Sequence, residues 1–496
     1  MAKEKIRLRY SGFIIFTSRL LSVATGVIFT IMITRSTSLG EFGIWNNLTD
    51  VLSYFTLMAA IIPFWTTRFT AREYEGSAKT GIIANILMST IFAFFFIALI
   101  PTIMATLNIL SEYMILYTIA SIQILEMYTL PALEAVLHAK KPQMIGYGFL
   151  IFEICKAVIG FALLIQVKLG LVGAISSIII AYALQLAFYF KLLANELKGV
   201  IQWTYLKEWF RASPINLYNL AGIRIAAFVL IFLFVYGGDL ARGYYGAALN
   251  IAGVIAYSSY LAFALYPRLL SGSSNEDISI SLKMVMMFAI PMSVGAMVLS
   301  DSYLRMLDSV YVEARPVLLL LALNFLFLSI SGVFYSVVSG TERVDAKAKI
   351  AFRKLIKSRL FLLFTLPYIE AAVTLPTTFF VLTSVTRTPL EAATYLALII
   401  LLTSSAMLIV RYLIARKCLV FHFPWISVSK YALASGIMAT ALLVIPQPTR
   451  LSITAAFTLL GAAIYLTVLM LIDKEARSLL SAILKEARYM VKIKKT

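Results

Sequence analysis

Apolar stretches of about twenty residues recur along the whole chain, separated by short polar breaks, and this recurrence leaves few folds open. A helix of that length crosses the roughly 30 Å hydrocarbon core of a bilayer. Fourteen crossings are expected, at about 11–34, 44–67, 81–107, 113–138, 145–167, 169–192, 214–236, 245–267, 281–303, 315–339, 359–383, 389–412, 424–446 and 450–472. Lipid offers no water to the backbone, so each must be a helix that bonds its own N–H and C=O groups. The expected class is an all-α polytopic membrane protein. Composition agrees, with 61% hydrophobic and 14% charged residues against about half and a quarter in soluble domains. The opening "MAKEKIRLRY" is charged like the start of a signal peptide, but no short apolar core with a small-residue cleavage site follows. Residues 11–34 are therefore expected to stay in the protein.

A net charge of +19 invites a nucleic-acid reading until the cations are placed on this topology. With the N-terminus inside, 32 Lys and Arg fall on inner segments and seven on outer loops, and Arg19, Lys156, Arg224 and Lys430 fall within helices. Such a bias places both termini in the cytoplasm and accounts for the basic pI of about 9.7 without nucleic acid. The outer connections are too short for a catalytic domain. Three longer inner segments remain, at 193–213, 340–358 and 473–496. In the last, Leu480, Ile483, Leu484, Ala487 and Val491 recur at helical spacing opposite Lys485, Arg488 and Lys492, the pattern of a basic helix on anionic membrane lipids.

Sliding the chain against itself by 200 residues exposes an internal repeat. "EFGIWNNLTD" from Glu41 lies over "ARGYYGAALN" from Ala241, so that Gly43 meets Gly243, Trp45 meets Tyr245 and Asp50 meets Asn250. Arg68 meets Arg268 at the inner end of the next helix. Two six-helix units of equal orientation follow, and two parallel bundles with a substrate path between them are a transporter design. The expected organisation is a lobe at 1–200, a repeated lobe at 201–415, two further helices at 416–475 and a basic tail at 476–496.

Three places carry a family resemblance: the run from Arg35 through "LGEFGIW", "GYYGAALNIAGVIAYSSYLAFALYPRLL" from Gly243, and "YVEARPVLLLLALNFLFLSISGVFYSVVSG" from Tyr311. They resemble the polysaccharide flippase family, exporters of lipid-linked oligosaccharides. That family belongs to the same superfamily as the multidrug and toxic compound extruders and the lipid II flippases. Hydropathy and helix order follow the resemblance over residues 10 to 470. It implies two lobes, alternating access and a central cavity framed by the first two helices of each lobe.

Arginine inside a membrane faces a partner or a wet cavity, or snorkels to the interface. Arg19 lies about 12 Å along its helix and Arg224 ten residues into the seventh. Their planar forks suit the oxygens of a lipid phosphate or pyrophosphate. Asp50 and Asn250, matched by the repeat, complete the expected substrate-binding set. Glu153 and Lys156, at i and i+3, are expected to neutralise each other. Asp50, near the outer end of its helix, is not expected to reach Arg19; Glu134 is a further candidate acid. Glu126 and Glu370 have no evident partner and read as protonated carboxyls or a coupling-cation site. Pro63, Pro131, Pro267, Pro291, Pro367 and Pro376 fall inside expected helices, where neighbours or water must serve the carbonyls they free.

No complete phosphate-binding loop is present: "GSAKTG" from Gly76 lacks the Lys and Ser or Thr that should follow. His138 and His422 stand apart at helix ends, Cys155 and Cys418 form no metal motif, and "NLT" at Asn47 lies where a helix enters the membrane. Neither cofactor nor metal is expected, and the chain is not expected to be an enzyme. The leading expectation is a plasma-membrane flippase that carries a polyprenyl-phosphate-linked or pyrophosphate-linked oligosaccharide outward for cell-surface polysaccharide synthesis, with glycan-assembly enzymes as membrane partners. A cation-coupled multidrug exporter is the alternative, ranked lower because it calls for an acidic cavity. A membrane glycosyltransferase or polymerase lacks a sizeable outer loop, and a purely structural protein would make no use of the arginines. Scarce Cys and His with abundant Ile, Leu and Tyr point to a prokaryotic source, compatible with an archaeon.

Overall fold

The computed structural model describes residue 22 and residues 24–262, 265, 275–341, 358–446, 448, 450–475 and 477–478. Arg19, Pro267, Arg268, most of the 340–358 segment and nearly all of the amphipathic tail lie outside them. All regular structure among the described residues is helical, and the protein is a multi-pass membrane protein. Eleven helices are long and apolar enough to cross a bilayer, or twelve if a bent pair counts as one. This differs from fourteen because 214–236 and 245–267 fall within one helical run and the first stretch is described only in its second half, Ala24–Ser36.

The chain forms two compact units, Met1–Arg224 and Ile225–Thr496. The first holds α1 (Ala24–Ser36), α2 (Leu39–Phe55), α3 (Ile61–Ala71), α4 (Ser77–Thr106), α5 (Met114–Lys140), α6 (Gln143–Gly160), α7 (Gly170–Leu193) and α8 (Trp203–Ala212). Helix α9 (Pro214–Ala227) runs through its boundary. Ile82, Leu133, Val136, Leu137 and Tyr189 are buried together in its core. The Tyr189 ring packs so closely on Gly148 that a Cβ there would fall 2.2 Å from it.

A single span was expected at 44–67, but α2 and α3 are bent by 55° across a turn of 3-10 helix at Leu57–Ala60. Pro63 lacks the N–H that would bond Ala59 O, and in lipid that carbonyl needs another donor. Asn85 Nδ2 supplies it at 3.4 Å, while Tyr128 Oη donates to Phe55 O at 2.9 Å. Pro63 itself stands in the first turn of α3, where a missing N–H costs least.

The second unit holds α10 (Val229–Ala252), a 3-10 stretch at Gly253–Ala262, α11 (Asn275–Val298), α12 (Ser300–Leu307), α13 (Arg315–Thr341), α14 (Arg359–Ser384), α15 (Pro389–Cys418), α16 (Trp425–Val444) and α17 (Leu451–Ile472). Ile278, Leu282, Val285, Val333, Val337, Leu363 and Tyr431 anchor its core. Pro291, inside α11, frees Met287 O, and Tyr465 Oη from α17 donates to it at 2.6 Å. One proline thus fixes where the last helix docks. Pro131, Pro367 and Pro376 are also interior, joined by Pro101.

The expected outer loop at 237–244 is helical except for one residue. The run Asn216–Ala262 is 47 residues long, about 70 Å if straight, and therefore too long for one crossing. Gly238, at φ 85° and ψ 173°, is its non-helical break. Arg242, counted as an outer-loop cation, is instead buried in α10 at 2% exposure. The repeat places Ser38 opposite Gly238, and the first unit also breaks there: α1 ends at Ser36 and α2 starts at Leu39. Ser38 and Glu41 close a capping box, with Glu41 N donating to Ser38 Oγ at 3.2 Å and Ser38 N to Glu41 Oε2 at 2.7 Å. The same register aligns the 3-10 turns at Leu57–Ala60 and Gly253–Ala262.

Gly238→Ala is expected to destabilise by about 1–3 kcal/mol, because that backbone region is almost exclusive to glycine, while Gly332→Ala, in the open side of α13, is neutral or stabilising. Thermal unfolding in detergent separates the two. Tyr465→Phe is expected to cost about 1–3 kcal/mol by orphaning Met287 O, and much less in a Pro291→Ala background, where the backbone bond is restored; a double-mutant cycle reads the difference.

Candidate functional site

Along α2, Asn46, Asp50, Ser53 and Tyr54 fall at i, i+4, i+7 and i+8 and are all partly exposed. That spacing lines these four side chains along one face of the helix. Arg224 of α9 meets its C-terminal part. Tyr54 Oη donates to Arg224 O at 3.2 Å, and both Asp50 and Arg224 act electrostatically on Tyr54. Two of the expected substrate residues, Asp50 and Arg224, are thereby brought to one place. Sequence reasoning missed Tyr54 and Asn46, although their helical spacing from Asp50 marks them. The assembly combines a guanidinium and a carboxylate with hydroxyl and amide groups at a half-buried position; the guanidinium suits anionic oxygens and the remaining groups suit sugar hydroxyls.

A second polar group in the first unit is closed. Glu153 and Lys156 of α6 form an ion pair at 2.7 Å with side chains 2% and 10% exposed. Thr25 of α1 donates to Glu153 Oε2. Lys156 also lies 4.9 Å from the Phe152 ring centroid and 5.7 Å from that of Phe29 in α1. The pair is structural and fastens α1 to α6. Glu134 accepts from Tyr189 Oη at 3.4 Å, which ties α5 to α7. Glu126, 5% exposed in α5, has a buried Oε2 with no hydrogen-bond partner among the described residues. Asn47 is fully buried and donates to Tyr117 Oη at 3.1 Å, so its glycosylation pattern is inaccessible.

In the second unit Asn250 is exposed and its Nδ2 donates to Gly246 O of its own helix at 3.0 Å. Glu370 was expected to lack a partner, but the structure supplies one: Arg411 of α15 faces it electrostatically. Arg411 Nη1 donates to Ser331 Oγ at 2.8 Å, and its buried Nε has no hydrogen-bond partner among the described residues. Ending the helix at 412 had put this arginine at an inner interface, whereas α15 continues to Cys418. The apolar run Leu413–Ile414–Ala415 after it is the signal that finds it. Among the described residues no group of His, Cys, Asp and Glu is arranged to hold a metal.

Glu153→Gln strands a buried ammonium and is expected to cost about 3–5 kcal/mol, whereas Glu153→Gln with Lys156→Met recovers most of it. Unfolding in detergent measures both.

No protein-family model matches the chain, and neither does the sequence of any curated protein. Solved structures do. The lipid II flippase MurJ, in an inward closed conformation, superposes with a TM-score of 0.64 at 16% identity, covering 92% of this chain and 97% of that one. An inward-facing multidrug resistance MATE family transporter of the MOP superfamily gives 0.59 at 12% identity, covering 80% and 95%. A MOP superfamily transporter from Pyrococcus furiosus, described by a binding pocket of reverse polarity, gives 0.52 at 11% identity over 83% and 94%. The fold implied by the resemblance is thus the fold observed: this chain has the architecture shared by lipid II flippase and MATE transporters of the MOP superfamily.

Proposed function

We propose that this protein is a flippase that moves a polyprenyl-phosphate-linked or pyrophosphate-linked oligosaccharide from the cytoplasmic to the outer leaflet by alternating access. The observation that carries the reading is Arg224, held beside Tyr54 and Asp50 on a half-buried polar stripe. A guanidinium there binds the anionic head, the stripe offers hydrogen bonds to sugar hydroxyls, and the polyprenyl chain stays in lipid. Arg19, in the first apolar stretch, serves the same head. Outward movement of an anion is favoured by an inside-negative potential, worth about 2.3 kcal/mol per charge per 100 mV. Glu126, buried without a hydrogen-bond partner among the described residues, is the better seat for a coupling proton or cation, because Glu370 already faces Arg411. Glycan-assembly enzymes at the inner face would supply the substrate.

A second reading, cation-coupled export of amphipathic drugs, draws on Asp50, whose charge lies on the same stripe. Reconstituted vesicles decide between them. Wild type is expected to move a fluorescent polyprenyl-pyrophosphate oligosaccharide outward. Arg224→Gln and Arg19→Gln are each expected to slow it about thirtyfold or more, the loss of one charge-assisted contact of about 2 kcal/mol or more. Arg224→Lys, which keeps charge without the fork, falls between. Unchanged rates in both Gln variants sink the proposed site, and drug efflux without glycolipid movement by wild type establishes the second reading.

A further inference from the structure

The polar segment at 193–213 takes no part in the proposed transport site, yet it is built with care. Helix α8 is pinned to the inner ends of α3 and α4 by three hydrogen bonds: Gln202 N to Thr80 Oγ1 at 2.8 Å, Tyr205 Oη to Glu75 O at 3.3 Å, and Trp65 Nε1 to Ser213 Oγ at 2.9 Å. Its inward side is aromatic. Trp209 is 1% exposed, with Phe69 edge-on to it at a ring distance of 5.4 Å and Tyr205 stacked on it at 6.1 Å.

The opposite side is the unexplained one. At 3.6 residues per turn, Trp203, Lys207, Phe210 and Arg211 fall within an arc of about 100° facing away from Tyr205 and Trp209. Trp203 is 52% exposed and Phe210 47%, and both cations are exposed. Glu208, the exposed acid of α8, lies about 60° beyond the edge of that arc. Arg68 of α3 and Arg72, which follows its last residue, add exposed cations, and Arg68 lies 4.4 Å over the ring of exposed Phe64. Large aromatics left bare in water cost free energy. Interleaved with cations at the charge-rich end of a membrane domain, they form the pattern of a helix lying in the headgroup layer.

We infer that α8 is an interfacial anchor whose outward arc binds anionic phospholipid headgroups of the inner leaflet, with Lys207 and Arg211 on the phosphates and Trp203 and Phe210 wedged at the acyl boundary. Charge complementarity selects this occupant: the arc carries two cations and no acid. Pro214, which opens α9, follows two residues after α8, so the anchor also fixes the start of the helix that carries Arg224. The inference stands whether or not the transported molecule is a glycolipid.

The test uses the full chain in detergent, in a Lys485→Gln, Arg488→Gln, Lys492→Gln background that removes the basic tail as a competing lipid site. Melting temperature is followed as phosphatidylglycerol or phosphatidylcholine is added, at low and high salt. Phosphatidylglycerol is expected to stabilise more than phosphatidylcholine, and less so at high salt. Adding Lys207→Gln and Arg211→Gln is expected to weaken the apparent affinity for phosphatidylglycerol about thirtyfold with no change in phosphatidylcholine. Equal responses with and without the α8 cations overturn the inference, as does wild-type indifference to lipid charge. If the α8 variant already melts early in phosphatidylcholine, quenching by brominated phosphatidylglycerol in vesicles decides. Wild type must lose more fluorescence than Trp203→Phe, and equal quenching overturns the inference.

Discussion

Lipid cannot hydrogen-bond a peptide group, and three carbonyls freed where the described helices bend or carry proline are answered by side chains of neighbouring helices. Pro63 frees Ala59 O and Asn85 takes it; the bend frees Phe55 O and Tyr128 takes it; Pro291 frees Met287 O and Tyr465 takes it. Asn85 and Tyr128 are fully buried and Tyr465 is 3% exposed. Such side chains look functional in a hydropathy plot because they are polar and sit in apolar runs. Their partners show that they serve the backbone, and in doing so they fix the bend between α2 and α3 and the docking of α17.

The two units solve one geometric problem with different chemistry. Each needs its first two helices to part within a residue or two, and each parts at the same register of the repeat. At Ser38 a capping box starts the new helix with its orphan N–H groups satisfied. At Gly238 the chain uses a conformation open to glycine and leaves the helix almost unbroken on either side. The second helices then both pass into 3-10 geometry at aligned positions. Backbone geometry is retained where residue identity is not, which is why a repeat so weak by identity is plain once helix breaks are compared.

The class of fold was legible because apolar length is a blunt physical requirement: all fourteen expected stretches overlap helix among the described residues. Their ends were not legible. Hydropathy reads Gly237 to Tyr244 as a loop since it holds three glycines, an Asp and an Arg, yet Arg242 is buried within α10. The same blur put Arg411 outside the membrane and left Glu370 without its partner. In the candidate site, Arg224 and Asp50 could be nominated because charge inside an apolar run is conspicuous. Tyr54 is easily passed over because tyrosine is common in membrane helices; its spacing from Asp50 marks the face it shares, but only the fold brings its hydroxyl to the Arg224 carbonyl. Local pairs were the easiest to read: Glu153 and Lys156 are three residues apart, and the helix does the rest.

Burial then sorts the intramembrane charges into those with a structural task and those available for chemistry. Glu153 and Lys156 neutralise each other in a dry setting and hold α1 by Thr25. Removing either leaves a buried charge, so their importance to folding says nothing of transport. Arg411 is bonded to Ser331 and faces Glu370, again within one unit. Arg224 differs: its backbone carbonyl is engaged, its position is half-buried, and its neighbours on the stripe, Tyr54 and Asp50, are themselves partly exposed. In the proposed site, Tyr54 engages the Arg224 main chain and leaves the guanidinium to the headgroup, which a carrier must both hold and release.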